Sequence, residues 1–237
     1  MGMGDAPLSI ISLFKQTSIY AWTKKTSTVM LLFCKLHYYK AFKSSRTFLF
    51  NGKRYQYFQH KYNTTWRTER AVEIPIAWDI VKSHTGKKIL EVGNVLSHYY
   101  PVSHDILDKY EHAPDVINQD VVDFQPQKQY DLIIAISTLE HVGWDEETKD
   151  PRKILCAIEN LKRCRTPGAQ FIVTLPLGQN PILDRLLENN EIPFVQQYFL
   201  KRVTADNAWV EAEFKDIQGA KYNFPFRAAN GLVIGFF

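Results

Sequence analysis

The sequence predicts an α/β fold with a doubly wound, mostly parallel sheet of seven strands and an N-terminal extension. From residue 87 onwards, short apolar runs alternate with helical or turn-like segments, a pattern typical of a parallel sheet. The run over residues 130–137, YDLIIAIS, is continuously apolar, as expected of a strand buried on both faces. The composition agrees with such a domain, because 45% of the 237 residues are hydrophobic and 23% are charged.

We assign residues 1–86 to a basic, aromatic extension that includes a lid, and residues 87–237 to the sheet domain. Within the extension, an aromatic strand-like segment (TFLFNGKRYQYF) precedes apolar residues at helical spacing that end near Gly86. Seven segments of the second part read as strands. They are residues 87–92, 105–110, 116–124, 130–137, 170–177, 194–203 and 231–237.

One helix of the sheet domain is marked at both ends. Asp150 is a suitable N-cap and Pro151 suits the first helical position. The apolar residues between 154 and 161 fall on one face of this helix. The sequence Thr-Pro-Gly at 166–168 predicts its end, and the next strand follows.

Charge and cysteine content limit the partners and the cellular compartment that we expect for the chain. Residues 1–54 hold a charge of +8 although the total is only +4, and such a basic, aromatic segment is either a solvated surface or a contact for anionic partners such as lipid headgroups. Three scattered cysteines match no disulfide framework and no zinc spacing. No apolar run reaches the ~18 residues of a membrane span, and lysines interrupt any secretory signal. We therefore expect a cytoplasmic protein, with membrane contact at its periphery at most.

Four segments follow one another in an order that carries a family resemblance. They are ILEVG at 89–93, VINQDVVDF at 116–124, YDLIIAISTLEHVGWDE at 130–146 and LKRCRTPGAQFIVTLPLG at 161–178. Together with an acid after the second strand, they resemble the class I S-adenosylmethionine-dependent methyltransferases over residues 87 to about 180. The resemblance implies a Rossmann-like methyltransferase fold, with the last two strands supplied by the tail, and S-adenosyl-L-methionine as cofactor.

The resemblance implies that the turn after the first strand binds the amino-acid end of the cofactor. Glu91 takes the acidic position that orients this end, and Asn94 lies in the same turn. Gly93 allows the backbone to approach the ligand where a Cβ would collide. The plainer alternative is a strand end and turn that bind no ligand.

The resemblance also implies cofactor-binding residues at the ends of the next strands. Asp108 takes the position that accepts hydrogen bonds from the ribose hydroxyls, for which a carboxylate is suited because it only accepts. Asp120 is placed to receive the adenine amino group with Val121 beside the ring, and Ser137 lies under the methionine part. The alternatives are a solvated loop acid, a turn cap and a backbone hydrogen bond that closes a strand.

Three features depart from the family pattern. Val95 and Ser97 stand where the family commonly has glycines. Pro101 follows almost at once, so the first crossover helix is very short or absent. The spacing between the first two strand-end acids is about one helical turn shorter than the family implies, which makes Glu111 a rival ligand for the ribose. A dinucleotide-binding reading is weaker, because no G-x-G-x-x-G is present.

The residues after the fourth strand are the candidates for catalysis. A histidine side chain suits a general base near neutral pH, and His141 is the candidate, with Glu140 beside it, although this pair often only starts a helix. His98, Tyr99 and Tyr100 either line the acceptor pocket or replace the missing helix by packing.

A second polar cluster, NTTWRTER at 63–70, precedes the first strand. Arg67 and Arg70 are suited to a carboxylate or phosphate, or form surface salt bridges. No zinc or magnesium pattern is visible, and no metal is expected. Nucleic acid is not the expected acceptor, because no nucleic-acid module and no Asn/Asp-Pro-Pro-Tyr motif is present.

The sequence therefore predicts an S-adenosylmethionine-dependent methyltransferase with a small-molecule, sugar or lipid-linked acceptor. The main alternative is a catalytically inactive methyltransferase-like scaffold that binds a partner or membrane surface through its basic N-terminus. A weaker alternative is an α/β domain that binds another nucleotide. The sequence determines neither the acceptor nor the oligomeric state.

Overall fold

A computed structural model describes residues 30, 34, 36–39, 41–150 and 152–237 of the chain. The chain divides into two compact units, Met1–Ser44 and Ser45–Phe237. The described residues of the first unit are helical up to residue 42. The predicted membrane-binding surface spans residues 1–54, of which residues 1–29, 31–33, 35 and 40 lie outside the described residues.

The second unit begins earlier than the predicted sheet domain, because residues 45–86 pack with the sheet. Strands β1 (Thr47–Phe50) and β2 (Lys53–Gln56) form an antiparallel hairpin. A 3-10 segment (Tyr62–Arg67) and helix α1 (Arg70–Ser83) follow. Phe48, Phe50 and the apolar face of α1 are buried in one of the two core layers.

The main sheet has eight strands. They are β3 (Ile89–Val92), β4 (Asp105–Leu107), β5 (Val116–Ile117), β6 (Tyr130–Ile136), β7 (Arg165–Pro176), β8 (Gln196–Arg202), β9 (Trp209–Ala212) and β10 (Gly231–Phe236). Their order is β5-β4-β3-β6-β7-β10-β8-β9. The first five in this order are parallel, whereas β10 runs antiparallel to both β7 and β8. Parallel strands with two reversed strands, β10 and β9, on one side of the sheet form the Rossmann-like methyltransferase fold that was predicted.

The prediction of seven strands is wrong by one, because β9 was missed. This strand pairs only with β8, at the edge of the sheet, and its two central residues are exposed. A four-residue edge strand therefore lacks the apolar run on which the other predictions depended.

The sheet is buried on both faces, which makes the fold doubly wound. Alternate residues of β6 point into opposite layers, with Leu132, Ile134 and Ile136 in one layer and Ile133 and Ala135 in the other. Helix α1 packs in the first layer. Helices α2 (Lys153–Arg163) and α3 (Pro181–Glu188) pack in the second, together with the short α4 (Phe214–Ile217).

The structure differs from several predicted boundaries. The third strand ends at Ile117, since the residues after it form turns instead of pairing. Helix α2 begins at Lys153, later than predicted, although Oδ1 of Asp150 accepts a hydrogen bond from the backbone N–H of Arg152 at 3.0 Å. Strand β7 begins at Arg165, because this residue already pairs with Tyr130 of β6. The first crossover contains only a 3-10 turn, Leu96–His98, which confirms the prediction that its helix is short or absent.

Across the described residues, none of the helices has the length and apolar character needed to cross a membrane.

Candidate active site

A cavity of about 460 Å³ lies at the carboxyl ends of β3, β4 and β6. In open parallel sheets, this edge is where ligands bind. Of the predicted site residues, the cavity brings together Gly93, Asn94, Asp108, Asp120, Val121, Ser137 and His141. Glu91 and Glu140 are fully buried and do not line it.

Glu91 holds the turn after β3 from inside the protein. Its Oε1 accepts hydrogen bonds from the backbone N–H groups of Val95 at 2.9 Å and Leu96 at 2.7 Å. Its Oε2 lies 2.7 Å from Nε2 of His104. Its oxygens therefore face the turn and His104 and not the cavity, and the carboxylate positions the turn. Its role toward the amino-acid end of the cofactor stays a prediction.

Gly93 is required by its backbone conformation and by its neighbour. Its φ is +82°, in the left-handed region that favours glycine, and its N–H donates to the carbonyl of Leu107 at 2.8 Å. A Cβ at this position would lie only 2.2 Å from Oγ1 of Thr138. The close approach is therefore to the loop after β6, which the sequence alone did not indicate.

The turn keeps the cavity open without the two glycines of the family pattern. The side chain of Asn94 is held by two hydrogen bonds within the protein. Its Nδ2 donates to Oε1 of Glu111 at 2.6 Å, and its Oδ1 accepts from Ser97 Oγ. Val95 packs against an apolar core layer and also lines the cavity. Ser97 does not line the cavity.

Asp108 and Glu111 differ in how much hydrogen-bonding capacity remains. The Oδ1 atom of Asp108 accepts from the backbone N–H groups of Tyr110 and Glu111, both at 2.8 Å, and its Oδ2 accepts from that of Asn94 at 3.1 Å. Three of its roughly four acceptor sites are thus occupied. Glu111 accepts one short bond, from Asn94, and otherwise faces His98 at 3.3 Å. Glu111 therefore has more acceptor capacity left for a ligand than Asp108 has.

Asp120 belongs to a four-member ion network at the other end of the cavity. Its Oδ2 lies 2.8 Å from Nζ of Lys109 and 2.6 Å from Nζ of Lys153, and both lysines also reach Glu146. Burial alone would raise the pKa of Asp120, but the two lysines outweigh it and lower the pKa to about 2. The four residues come from four separate segments, so sequence spacing could not show the network.

His141 lines the cavity with a carboxyl group near each ring nitrogen. Its Nδ1 is 2.5 Å from Oδ2 of Asp145, and its Nε2 is 3.6 Å from Oε1 of Glu140. The amide nitrogen of Gln179 lies 3.4 Å from the same Nε2. Sequence reasoning missed Asp145 and Gln179, although Asp145 follows the histidine by four residues.

Glu140 is buried without a hydrogen-bond partner among the described residues. Both of its carboxyl oxygens lack one. Burial raises the pKa of Glu140 well above its ordinary value, and the nearby carboxyl of Glu73 adds to this effect while Arg70 opposes it. A buried carboxyl in this state favours its neutral form.

A buried network ties α1 to the ends of β6 and β7 beside the cavity. Glu73 accepts hydrogen bonds from Oγ of Ser137 at 2.5 Å and Oγ1 of Thr174 at 2.6 Å. Arg70 donates to the second oxygen of Glu73 at 2.8 Å and to the carbonyl of Ile136 at 3.1 Å. Ser137 is held with a positive φ of 40° as a result. In the sequence, Glu73 lies among the apolar residues of the predicted helix, and this position was the available signal that its side chain is buried.

Arg70 and the aromatic triplet of residues 98–100 take structural positions. Arg70 pairs with a buried glutamate instead of remaining available for a substrate carboxylate or phosphate. Tyr100 stacks on Trp78 at 4.1 Å, and His98 stacks on Tyr62 at 4.3 Å. None of the three triplet residues lines the cavity. They fill the space of the missing crossover helix.

No protein-family model matches the chain, and no curated protein matches it. Solved structures with a similar backbone fold include the N-methyltransferase NodS from Bradyrhizobium japonicum, in complex with S-adenosyl-L-homocysteine. It shares 12% identity over 71% of this chain and 86% of that chain, with a TM-score of 0.43.

Two further solved structures are similar at the same level. A sugar N-methyltransferase from Streptoalloteichus shares 10% identity over 70% of this chain and 86% of that chain, with a TM-score of 0.36. An S-adenosylmethionine-dependent methyltransferase from Clostridium acetobutylicum shares 10% identity over 68% of this chain and 88% of that chain, with a TM-score of 0.35. At these scores the neighbours' activities do not transfer to this chain, and the fold assignment rests on its strand order.

No group of three or more His, Cys, Asp or Glu side chains in the described part of the chain is arranged to hold a metal ion.

Asp184, in the first turn of α3, is expected to make stability depend on pH. Burial raises the pKa of Asp184 to about 6, although hydrogen bonds from the Gly178 N–H oppose this. The folded state therefore binds more protons than the unfolded state between about pH 4 and pH 6, and stability falls as the pH rises through this window. We expect Asp184→Asn to raise the free energy of unfolding by about 1 kcal/mol at pH 8, allowing for partial exposure, and to leave it unchanged at pH 4.

Urea unfolding at the two pH values measures this effect. Asp79→Asn is the control of opposite sign, because the Lys53 hydrogen bond lowers the pKa of Asp79. Equal stabilisation by Asp184→Asn at both pH values would contradict the assignment.

Proposed function

We propose that the protein is an S-adenosyl-L-methionine-dependent methyltransferase that acts on a small-molecule, sugar or lipid-linked acceptor. The observation that carries the proposal is the cavity. It lies at the carboxyl edge of a sheet with methyltransferase strand order and is lined by residues from the turns after β3, β4, β5 and β6. Its volume lies within the usual range of small-ligand sites, about 300–1,000 Å³.

The residues present fit the cofactor chemically. Glu111 offers free acceptor capacity for the ribose hydroxyls, and Asp120 retains one acceptor site for an adenine amino group beside Val121. The lining carries more carboxylates than cations, which suits a ligand with a positive sulfonium. The acidic residues of the lining are Asp108, Glu111, Asp120, Asp145 and Glu146.

The cofactor, when bound, supplies a methyl group on a positively charged sulfur, which leaves as a neutral thioether. The chain's own contribution is alignment, since an in-line displacement gains mainly from held geometry. Glu91 fixes the turn after β3, and the Glu73 network fixes the end of β6. These two buried carboxyls therefore set the walls between which both reactants would lie.

The scaffold alternative was motivated by the missing glycines. The open cavity removes this motivation, since neither Tyr99 nor Tyr100 fills it and Ser97 points elsewhere. Binding of a partner or membrane through the basic N-terminus remains a separate proposal. Cytoplasmic location likewise remains a prediction.

Calorimetry with S-adenosyl-L-homocysteine tests the proposed function. We expect binding by the folded protein, and we expect Glu111→Gln to weaken it by about tenfold because a charge-assisted hydrogen bond is lost. The 2′,3′-dideoxy analogue should bind the wild type and Glu111→Gln equally. Glu159→Gln, an exposed acid on α2, is the matched control and should have no effect.

Absence of binding at about millimolar ligand would leave the scaffold alternative. A different result would assign the ribose contact to Asp108. In that case Glu111→Gln would leave the affinity for S-adenosyl-L-homocysteine unchanged, and Asp108→Asn would weaken binding of S-adenosyl-L-homocysteine but not of the dideoxy analogue.

A further inference from the structure

A second recess, of about 320 Å³, lies at the same edge of the sheet as the cavity. It is lined by the end of β8, the end of α4 and the loop over residues 218–230. Because β10 runs antiparallel to both β7 and β8, strand β8 ends at the edge where β6 and β7 end. A ligand in this recess would therefore lie on the side of the molecule that carries the cavity.

The recess carries positive charge. Among the described residues of its lining, Lys201, Arg202 and Lys221 are cationic and only Asp216 is acidic. Neither lysine forms an ion pair within the part of the chain that the structure describes. One carboxylate oxygen of Asp216 already accepts from the backbone N–H of Glu213 at 3.0 Å. The two lysines therefore favour an anionic group in the recess.

Apolar side chains project beside these lysines. Phe224, which lines the recess, is 68% exposed, and Pro225 next to it is exposed as well. Val203, directly after the end of β8, is 43% exposed. Aromatic rings are favoured at the boundary between headgroups and acyl chains, and lysines are attracted to anionic headgroups. Exposed apolar residues around a cationic recess thus match a lipid surface.

Hydrogen bonds within the loop fix the direction of Phe224. The Nδ2 atom of Asn230, which is buried, donates to the carbonyls of Lys221 at 3.0 Å and Phe226 at 2.9 Å. The ring of Phe226 packs on the guanidinium of Arg202, 5.2 Å from its central carbon, whereas Phe224 points to solvent. A loop that is already ordered loses little conformational entropy when it docks.

The same loop packs beside the wall of the cavity. Gly178, directly after β7, permits this contact, because a Cβ there would lie 2.4 Å from the carbonyl oxygen of Ala220. The amide nitrogen of the next residue, Gln179, lies 3.4 Å from Nε2 of His141, which lines the cavity. A short segment therefore connects the recess with the cavity.

We propose that this edge of the molecule docks on an anionic lipid surface. Lys201 and Lys221 bind the phosphate of a headgroup in the recess, and Phe224 enters the interface beside it. Resting on the proposed function, this inference names the acceptor as lipid-linked, since a docked molecule presents the cavity to the membrane. A soluble phosphate would engage the lysines but would gain nothing from the exposed ring, because it offers no apolar surface.

Flotation of the full chain with lipid vesicles tests the proposal. The vesicles contain phosphatidylglycerol and phosphatidylcholine in equal parts, and pure phosphatidylcholine is the neutral comparison. We expect binding to the anionic vesicles only. Lys201→Gln and Lys221→Gln should each weaken it about fivefold, because each removes one charge from the surface. Phe224→Ser should weaken it at least about fivefold, because the ring no longer enters the interface.

The opposite edge of the sheet provides matched controls. Lys87 is exposed and precedes β3, and Val195 is 86% exposed and precedes β8. Lys87→Gln removes the same charge and Val195→Ser removes an exposed apolar side chain, but neither lies at the proposed surface. Both variants should bind the anionic vesicles as the wild type does.

Two kinds of result would overturn the lipid assignment. The first is absence of flotation, or equal flotation of the wild type and the Lys201, Lys221 and Phe224 variants. The second is a loss in the lysine variants without a loss in Phe224→Ser, which would identify a site for soluble phosphate. Failure of the proposed function is distinguishable, because it appears as no binding of S-adenosyl-L-homocysteine in calorimetry without vesicles.

Discussion

Replacement of Gly93 by alanine is expected to weaken binding of S-adenosyl-L-homocysteine by at least about 30-fold. The new Cβ would lie 2.2 Å from Oγ1 and 2.7 Å from Cγ2 of Thr138, so the turn after β3 and the loop after β6 would have to separate. Two walls of the cavity would move. The left-handed backbone, with φ at +82°, adds about 1 kcal/mol of strain for any residue with a Cβ. Calorimetry and urea unfolding measure the two effects.

Gly86 offers a control with the same backbone conformation. Its φ is also +82°, but a Cβ there meets nothing within 4 Å. Gly86→Ala should cost about 1 kcal/mol of stability and leave the ligand affinity unchanged. The difference between the two variants isolates the collision with Thr138. An affinity of Gly93→Ala within about threefold of the wild type would show that the turn is not a wall of the ligand site.

Replacement of Glu73 by alanine is expected to lower the free energy of unfolding by about 3–5 kcal/mol. The change removes the partner of a buried arginine and leaves an uncompensated charge beside the sheet. It also leaves the hydroxyls of Ser137 and Thr174 without their acceptor. Urea unfolding of the full chain measures the loss.

Two comparisons make the Glu73 result specific. Asp79→Ala breaks the more exposed pair with Lys53 and should cost no more than about 1 kcal/mol. The double variant Arg70→Met, Glu73→Leu removes both charges and should recover much of the stability lost in the single variant, since no unpaired charge then remains. If Glu73→Ala costs no more than Asp79→Ala, the buried network does not stabilise the end of β6.

The parallel strands were predictable because burial on both faces leaves a continuous apolar run in the sequence. Residues 130–136 are the clearest case, and strand β6 occupies them. The edge strand β9 was not predictable, because one side of it is unpaired and its central residues are exposed. Strand β5 has only two residues for a related reason, since residues 118–120 pair with no strand and a turn follows at residues 121–123.

The part of the candidate site that could be predicted is the part where the backbone conformation requires a particular residue type. Gly93 stands at a strand end with a positive φ, and the sequence placed a glycine-dependent turn there. The partners of acidic residues were not predictable in the same way. Whether Glu91 faces a ligand or the 3-10 turn depends on side-chain direction, which the position of a residue along a strand does not specify.

The sequence by itself determined the alternation of strands and helices and the turns that end at the cavity, because these follow from local apolar periodicity and glycine. Only the tertiary structure decided which carboxylates remain available. Asp108 accepts from three backbone N–H groups and Glu111 does not, while Glu73 reaches the end of β6 from a helix far away in the sequence. Hydrogen-bond capacity and burial are properties of neighbours in space, and residues far apart in the chain supply them.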